Sequence, residues 1–427
     1  MLTPTDAARL ILEHIAPLPA ARCALREALD LVLAEDVTSP IDLPGWDNSA
    51  MDGYAARAAD VAHASPERKV TLAVIETVPA GRFPSRPIGP GQATRIFTGA
   101  PLPAGADTVV RQEDTEPADS GSPGAEGRVT IVTGRDAGKN VRYRGEDIRR
   151  GSIAVAAGTL LGPAQLGVLA SVAHGRPLVH PPPQVAFLGS GDEIVDLDRS
   201  DEILAGKKIA TSNSYTLLGL IRRAGGVPVD LGVAQDTKDS LREHLEGAKD
   251  ADLLVTTAGV SVGEHDLVRE VLAELGCDMK LWRIRMRPGA PLGFGMLQGK
   301  PWIGLPGNPV STMVTFELFV RPAIRRMLGH PLPFRRTVPV RLAEGESITL
   351  GPKLRHFLRA VVTPDGHGGR ETLVARLTGP QGSGILMSMA RANALLIVPE
   401  DRDTVAPGET LFALLLDDPH HVADAPF

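Results

Sequence analysis

Along the first forty or so residues, apolar positions recur at helical spacing between prolines. Ala7, Leu10, Ile11, His14 and Ile15 share one face, which predicts an amphipathic helix, and Leu25 to Leu33 form a second candidate helix. From about Pro44 to Asn140 the pattern changes to the short β-type runs VTLAVIETV, ATRIFTG, DTVVRQ and RVTIVTG, separated by Gly and Pro turns. A β-rich domain is expected there. Residues 141–180 return to strand and helix patterns suited to packing back on the first helices, so the N-terminal domain reads as discontinuous, 1–43 with 141–180, around a β-rich domain at 44–140. The run HPPPQ, His180 to Gln184, is a stiff linker.

From Val185 to Gly329 strands and helices alternate: VAFLG, YTLLGLIRRAG, VPVDLG, SLREHLEGA, DLLVTTAG, DLVREVLAEL, KLWRIRM, a hairpin PLGFGMLQGKPWIGL, and the helix PVSTMVTFELFV. This spacing predicts an α/β domain at 181–330 with a mostly parallel sheet, whose ligands belong beyond the carboxyl ends of its strands. After Pro333 short strands with Gly turns return, which predicts a small C-terminal β-barrel at 334–417. The fold class is therefore a multidomain α/β plus β chain.

Composition narrows the function. The 427 residues hold 45 Lys+Arg against 51 Asp+Glu, a net charge of −6, so nothing global attracts nucleic acid or an anionic membrane. Cys23 and Cys277 have no close partner and no metal-ligand spacing, which fits a reducing cytoplasm rather than a disulfide framework. Asp6 and Glu13 interrupt the apolar face of the N-terminus, unlike a secretory signal. Gly151 to Ala173 has no charged residue, but Gly158, Gly162, Pro163 and Gln165 break it into a strand, a turn and a short helix, so burial is expected rather than a membrane span. Glu113 to Gly127 is acidic and rich in turn residues, the pattern of a solvated connection.

Candidate chemistry gathers in loops. TTAGVSVGEHD, Thr256 to Asp266, lies between a strand and a helix, where small residues let backbone N–H groups approach an oxyanion and the hydroxyls of Thr256, Thr257 and Ser261 add donors. GLPGNPVS, Gly304 to Ser311, repeats that architecture, with Asn308 suited to the helix cap and Pro309 to its first turn. Arg283, Arg285 and Arg287 alternate along KLWRIRMRPG and so share one strand face, which suggests the lining of an oxyanion pocket. Opposite charge comes from Asp47, Asp52, Glu146, Asp147, Asp192, Glu193, Asp236 and Asp266, each in a loop-like context; carboxylates beside phosphate-binding loops suggest Mg²⁺. TGAPLPAGAD, Thr98 to Asp107, is too rich in Pro, Gly and Ala for a strand or helix and must be a shaped loop. The scattered histidines show no ligand spacing.

Taken together, DNSAMDGYA, TGAPLPAGAD, RGEDI, GSGDE, GVSVGEHD, RPGAP and GLPGNPVS, in this order over nearly the whole chain, resemble the molybdopterin molybdenumtransferase (MoeA) family, to which the C-terminal domain of gephyrin is related. The resemblance implies an enzyme that takes adenylylated molybdopterin and molybdate, releases AMP and leaves molybdenum on the dithiolene sulfurs, in molybdenum cofactor biosynthesis. It implies a cytoplasmic homodimer whose active site joins the α/β domain to the β-rich domain of the other subunit. Partners would be the small-molecule substrates, the molybdopterin adenylyltransferase and acceptor molybdoenzymes, with no nucleic acid and no membrane.

By the same resemblance the catalytic positions are Asp52, Thr98, Asp147, Glu193, Asp236 and Asp266, with Glu193, Asp236 and Asp266 holding Mg²⁺. Gly259, Val260, Ser261 and Gly263 would hold the pterin phosphate, while Arg283, Arg287 and the amides at Gly307 and Asn308 would receive molybdate on a substrate-binding loop shaped by Pro306 and Pro309. Ser383 and Arg359 would touch the pterin side. Three departures from the family pattern stand out: Ala258 replaces a glycine, Ala290 replaces a lysine, and Arg283 and Arg287 replace lysines. Arginine is a fixed planar fork rather than a mobile point charge, so the arginines can stand in for the lysines, while the loss at Ala290 bears on substrate geometry or molybdate affinity. Two alternatives are the neighbouring adenylyl transfer to molybdopterin, disfavoured by the β-rich domain, and a non-catalytic gephyrin-like scaffold, disfavoured by the retained carboxylates.

Overall fold

The computed structural model of the chain describes residues 1–117, 127–257, 267–351, 353–365 and 373–417. The chain folds as two compact units, one of Cys23–Leu29 and Glu35–Pro177, the other of Met1–Arg22, Asp30–Ala34 and Leu178–Phe427.

The unit centred on Glu35–Pro177 is built on a mixed sheet in the order Thr108–Arg111, Gly53–Ala56, Gln92–Ile96, Val70–Val78, Gly127–Ile131, Thr115–Pro117. Only Val70–Val78 and Gln92–Ile96 run parallel; the other neighbours are antiparallel. All four β-type runs expected in this region form strands. Leu72, Val74, Val110, Val129 and Ile131 bury into one cluster, and Val78, Ile96 and Val109 into a second, each side chain contributing about 1.5–3 kcal/mol. One backbone approach sets the register: a Cβ on Gly53 would lie 2.0 Å from the carbonyl oxygen of Val110 on the paired strand, so only glycine fits. The uncharged stretch after Gly151 becomes the strand Ile153–Val155, paired with Val37–Thr38, and the helix Pro163–Ser171. No helix among the described residues is long and apolar enough to cross a membrane.

The second candidate helix does not form. Leu25–Glu27 makes a single 3-10 turn, Asp30 takes the left-handed conformation at φ 62°, and Val32–Leu33 is a short strand. The left-handed residue ends any helix, and Val32 and Leu33 satisfy their backbones against Val179 and His180 instead. The first helix, Pro4–Glu13, forms as expected, with Thr3 capping the amide of Asp6 and Ala7 and Ile11 fully buried.

The unit containing Leu178–Phe427 holds a six-stranded sheet ordered Val227–Ala234, Gln184–Ser190, Leu253–Thr257, Lys300–Leu305, Pro291–Leu297, Asp278–Arg283. Its first four strands are parallel, and the last two pairings are antiparallel. Register places the carboxyl ends side by side: Ser190 opposite Ala234, Gly189 opposite Thr257, and Thr257 opposite Leu305. The loops after these strands therefore leave the sheet from one edge. Trp302 is fully buried in the central strand pair, and its indole N–H donates to Thr256 Oγ1 at 3.1 Å. The helix begun by Pro309 runs beyond its expected end at Val320, through a π-turn at Phe316–Val320 into Arg321–Met327.

KLWRIRM is not one strand. Asp278–Arg283 ends the α/β sheet, whereas Met286–Arg287 pairs with Arg355–His356 in the C-terminal sheet. The partners come from two different sheets, so nothing local in the sequence marks the break. Alternation nevertheless survives: Arg283, Arg285 and Arg287 are exposed while Ile284 and Met286 are buried. The C-terminal strands Arg355–Pro364, Leu373–Leu377, Thr337–Leu342, Thr410–Leu415 and Ala394–Val398 follow one another in that order, and Arg355–Pro364 also pairs with Ala394–Val398, closing a five-stranded barrel. Inside it Val340, Leu342, Leu358, Val362 and Leu396 form the core.

Within the π-turn, the buried Glu317 accepts from Arg335 Nε at 2.6 Å and lies 3.8 Å from Arg321 Nε. Arg321 is pushed down to about 10 by burial and by the charge of Arg335, so Glu317 is the counter-charge that lets both guanidiniums stay. Glu317→Ala is expected to cost about 3–5 kcal/mol by leaving these charges uncompensated. Denaturant unfolding of the full chain checks this; an unchanged midpoint would remove the ion pair from the account.

Candidate active site

In the unit of Glu35–Pro177, Gly53 fixes where Asp52 can be. Gly53 pairs with Ile96, so Asp52 faces the residues that follow the neighbouring strand. There Thr98 donates both its amide and its hydroxyl to Asp52 Oδ1, each at 2.7 Å. These two bonds, amide first, hold the Asp52 carboxyl below its ordinary range; desolvation opposes them, and the charge of Arg95 adds the least. A depressed folded-state pKa means that the stabilisation is fully present above the ordinary carboxylate range and is lost as pH falls through the depressed value. Beneath the pair, Arg95 is buried, donates to the carbonyl of Gly53 at 3.0 Å and to the Gln112 side chain, and lies over the rings of Tyr54 and Phe97.

The same end of this unit gathers two more segments. Gly99 N donates to Ser49 O at 2.8 Å, Ser49 N to Ala100 O at 3.0 Å, and Leu102 N to Asp47 O at 2.9 Å, joining DNSAMDG to TGAPLP. Arg144 N donates to Asp47 Oδ1 and Arg144 Nε to Asp42 Oδ2, both at 2.7 Å, which brings in the loop of Asp147. Asp42 also accepts from Arg150 N at 2.7 Å; that amide, then the Arg144 side chain, lowers its pKa. Asp147 is exposed, with its amide on Leu43 O at 3.0 Å. Asp52, Thr98 and the loops bearing Asp47 and Asp147 are thus assembled together.

In the other unit the sheet edge does the positioning. After Ser190 the chain turns so that a Cβ on Gly191, at φ 144°, would lie 2.9 Å from Glu193 Oε2; the Glu193 carboxylate folds back over this glycine. Asp236 follows the neighbouring strand. Its amide donates to Asp192 Oδ1 at 3.0 Å and its own Oδ2 accepts from Asp192 N at 3.4 Å, a reciprocal brace between the two loops. Glu193 and Asp236 are both exposed. After the strand Lys300–Leu305, Pro306 O accepts from Thr312 Oγ1 at 2.6 Å and Gly307 O from Asn213 Nδ2 at 2.7 Å. Asn308 occupies the cap with no side-chain capping bond, and Pro309 begins the helix. Ser383 meets this turn through its carbonyl, which accepts from Val310 N at 3.1 Å.

Arg283 and Arg287 project into solvent from the ends of two different strands. Arg359, by contrast, is fully buried and donates to Ser388 Oγ and Gly382 O, each at 3.1 Å. Gly259, Val260, Ser261, Gly263 and Asp266, together with Ala258, lie outside the described residues. Among the described residues no group of three His, Cys, Asp or Glu side chains is placed to hold a metal ion.

Comparison with known proteins follows the same segments. Family models match residues 2–173 (MoeA N-terminal region, domain I and II), 187–326 (probable molybdopterin binding domain) and 338–416 (MoeA C-terminal region, domain IV). Molybdopterin molybdenumtransferase 1 of Mycobacterium tuberculosis is 37% identical over 422 residues, covering 94% of this chain and 96% of that protein. The chain belongs to the molybdopterin molybdenumtransferase (MoeA) family. A Staphylococcus aureus molybdopterin molybdenumtransferase is 30% identical over 416 residues, covering 96% of this chain and 95% of its own. The solved molybdopterin biosynthesis moeA protein from Pyrococcus horikoshii OT3 superposes with TM-score 0.79 at 28% identity, covering 97% of this chain and all (100%) of that one.

For a MoeA-family chain, several residues that organise the site are not visible in sequence motifs. Asp42 and Arg144 meet across 102 positions and Asn213 and Gly307 across 94, separations that no local spacing signals. Arg95 reads as an ordinary strand residue until its stacking is seen. Removing the brace between loops with Asp192→Ala is expected to weaken local protection of the Asp236 amide by about 1 kcal/mol, or about fivefold faster exchange. Hydrogen exchange at Asp236 checks it; an unchanged rate would mean that the loops do not depend on each other.

Proposed function

We propose that this chain inserts molybdenum from molybdate into adenylylated molybdopterin with release of AMP. The observation that carries the reading is its end-to-end match, at 30–37% identity, to proteins named molybdopterin molybdenumtransferase. Adenylyl transfer is the weaker reading, because the match includes the whole N-terminal region at residues 2–173 and not the molybdopterin-binding region alone.

The chemistry the residues have to perform is alignment and charge management. Both reactants are anions, and AMP leaves carrying negative charge, so donors that need no rearrangement do most of the work. In this reading Arg283, Arg287 and the turn at Pro306–Pro309 receive the oxyanion. Asp52, held by Thr98, supplies an acceptor that stays ionised at neutral pH and below; exposed Asp147 adds a second, and no protein nucleophile is needed.

Glu193 and Asp236 offer hard carboxylate oxygens without thiolate or imidazole, a donor set that suits Mg²⁺ rather than a softer metal. They would hold it with Asp266 and substrate oxygens, and the bound ion would offset the charge of the pyrophosphate. The reading extends to a cytoplasmic homodimer, with the adenylyltransferase and molybdoenzymes as partners. Free Cys23 and Cys277 suit a reducing compartment, and burial pushes the Cys277 thiol up to about 11.

Purified full-length protein should release AMP from adenylylated molybdopterin only with molybdate and Mg²⁺ present, and chelation should slow it. Asp52→Asn should lower kcat/KM by about 100-fold or more with little change in melting temperature. Consumption of ATP with free molybdopterin, indifferent to molybdate, would overturn the proposal.

A further inference from the structure

On the segment that leads to Asp52 the surface carries an aromatic pair, Trp46 with Phe83, that the assigned roles leave unused. Trp46 and Phe83 meet edge to face, ring centroids 5.0 Å apart and planes at 66°, yet remain 44% and 65% exposed. Single exposed aromatics are common on any protein. This pair differs because both of its loops are anchored.

Trp46 O accepts from the side chain of the buried Asn48 at 3.3 Å. The next residue, Asp47, is bound through its carbonyl to Leu102 N and through its carboxylate to Arg144 N. Trp46 is therefore attached to the same loops that carry Thr98 and Asp147. The loop of Phe83 is fastened by Glu76, which accepts from Ser85 N at 2.9 Å, Ser85 Oγ at 2.7 Å and Arg86 N at 3.2 Å. Arg82 N closes the turn onto Pro79 O at 3.1 Å.

A T-shaped contact occupies the edge of one ring and a face of the other, and leaves further ring surface open to a third flat π-system. Aromatic platforms recognise bases through such faces at little entropic cost, because the rings are already in place. We infer that Trp46 and Phe83 form a stacking platform for the flat nitrogen heterocycle of the substrate, adenine or pterin. The assignment rests on the transferase reading for the identity of that heterocycle. It gives the Trp46 segment a second task beside bracing the loops that carry Thr98 and Asp147: orienting a planar group.

The test uses the full chain with Trp46→Ala, Trp46→Phe and Phe83→Ala. Stacking predicts that Trp46→Ala raises the KM for adenylylated molybdopterin about tenfold with kcat within about twofold, that Phe83→Ala raises it less, and that Trp46→Phe restores it. In a separate readout, AMP or 6-hydroxymethylpterin should quench a fluorescence component present in wild type and missing from Trp46→Ala; which of the two quenches identifies the heterocycle. KM unchanged in both alanine variants overturns the platform, as does an altered sedimentation coefficient with unchanged KM, which would make the patch a contact between copies. If wild type releases no AMP, the transferase reading fails, and quenching alone decides: quenching lost in Trp46→Ala supports the platform, and none in wild type rejects it.

Discussion

Thr98 gives two donors to one oxygen of Asp52, and the arrangement at that end of the β-rich unit depends on this contact. It exists because Gly53 lets its strand approach the carbonyl of Val110 to a distance that any side chain would forbid. A shift of one residue in the strand would turn Asp52 to the other face of the sheet. The fixed carboxylate is thus a product of register, with Arg95 stacked on Tyr54 and Phe97 supporting it from inside.

In the other unit the same problem is solved differently. Parallel strands end in register, so Glu193, Asp236 and the Pro306–Pro309 turn need only short loops to reach one edge of the sheet. Asp192 and Asp236 each donate a backbone amide to the other's carboxylate, and the nearby Lys208 ammonium goes to the Asp192 carbonyl rather than to either carboxylate. This leaves negative charge exposed, a poor arrangement for binding anions unless a cation accompanies them. On the proposed function that excess is the reason for Mg²⁺, and the exposed arginines serve the oxyanion that arrives without one.

Most of the architecture was legible because each element satisfies a local rule. VTLAVIETV and its neighbours alternate or run apolar between turn residues, and the α/β region repeats strand and helix at a spacing that leaves little choice. Leu25–Leu33 misled because its apolar spacing looks helical while Asp30 adopts a left-handed conformation fixed by distant pairing. The arginine alternation was readable, but its division between two sheets was not, since Arg283 pairs with nearby Pro291 whereas Arg287 pairs with the distant His356. At the candidate site the motifs named Asp52 and Thr98, and the structure adds the bonds between them. Trp46, Phe83, Asp42 and Arg144 became visible only through contacts between segments that no periodicity connects.

Titration of the Asp52 carboxyl by carbon-13 NMR, in wild type and in Thr98→Val, tests the central interaction most directly. The account predicts a wild-type midpoint below the ordinary carboxylate range and a higher one in the variant, which loses the hydroxyl donor but keeps the amide. Identical titrations at the ordinary value in both proteins would contradict it.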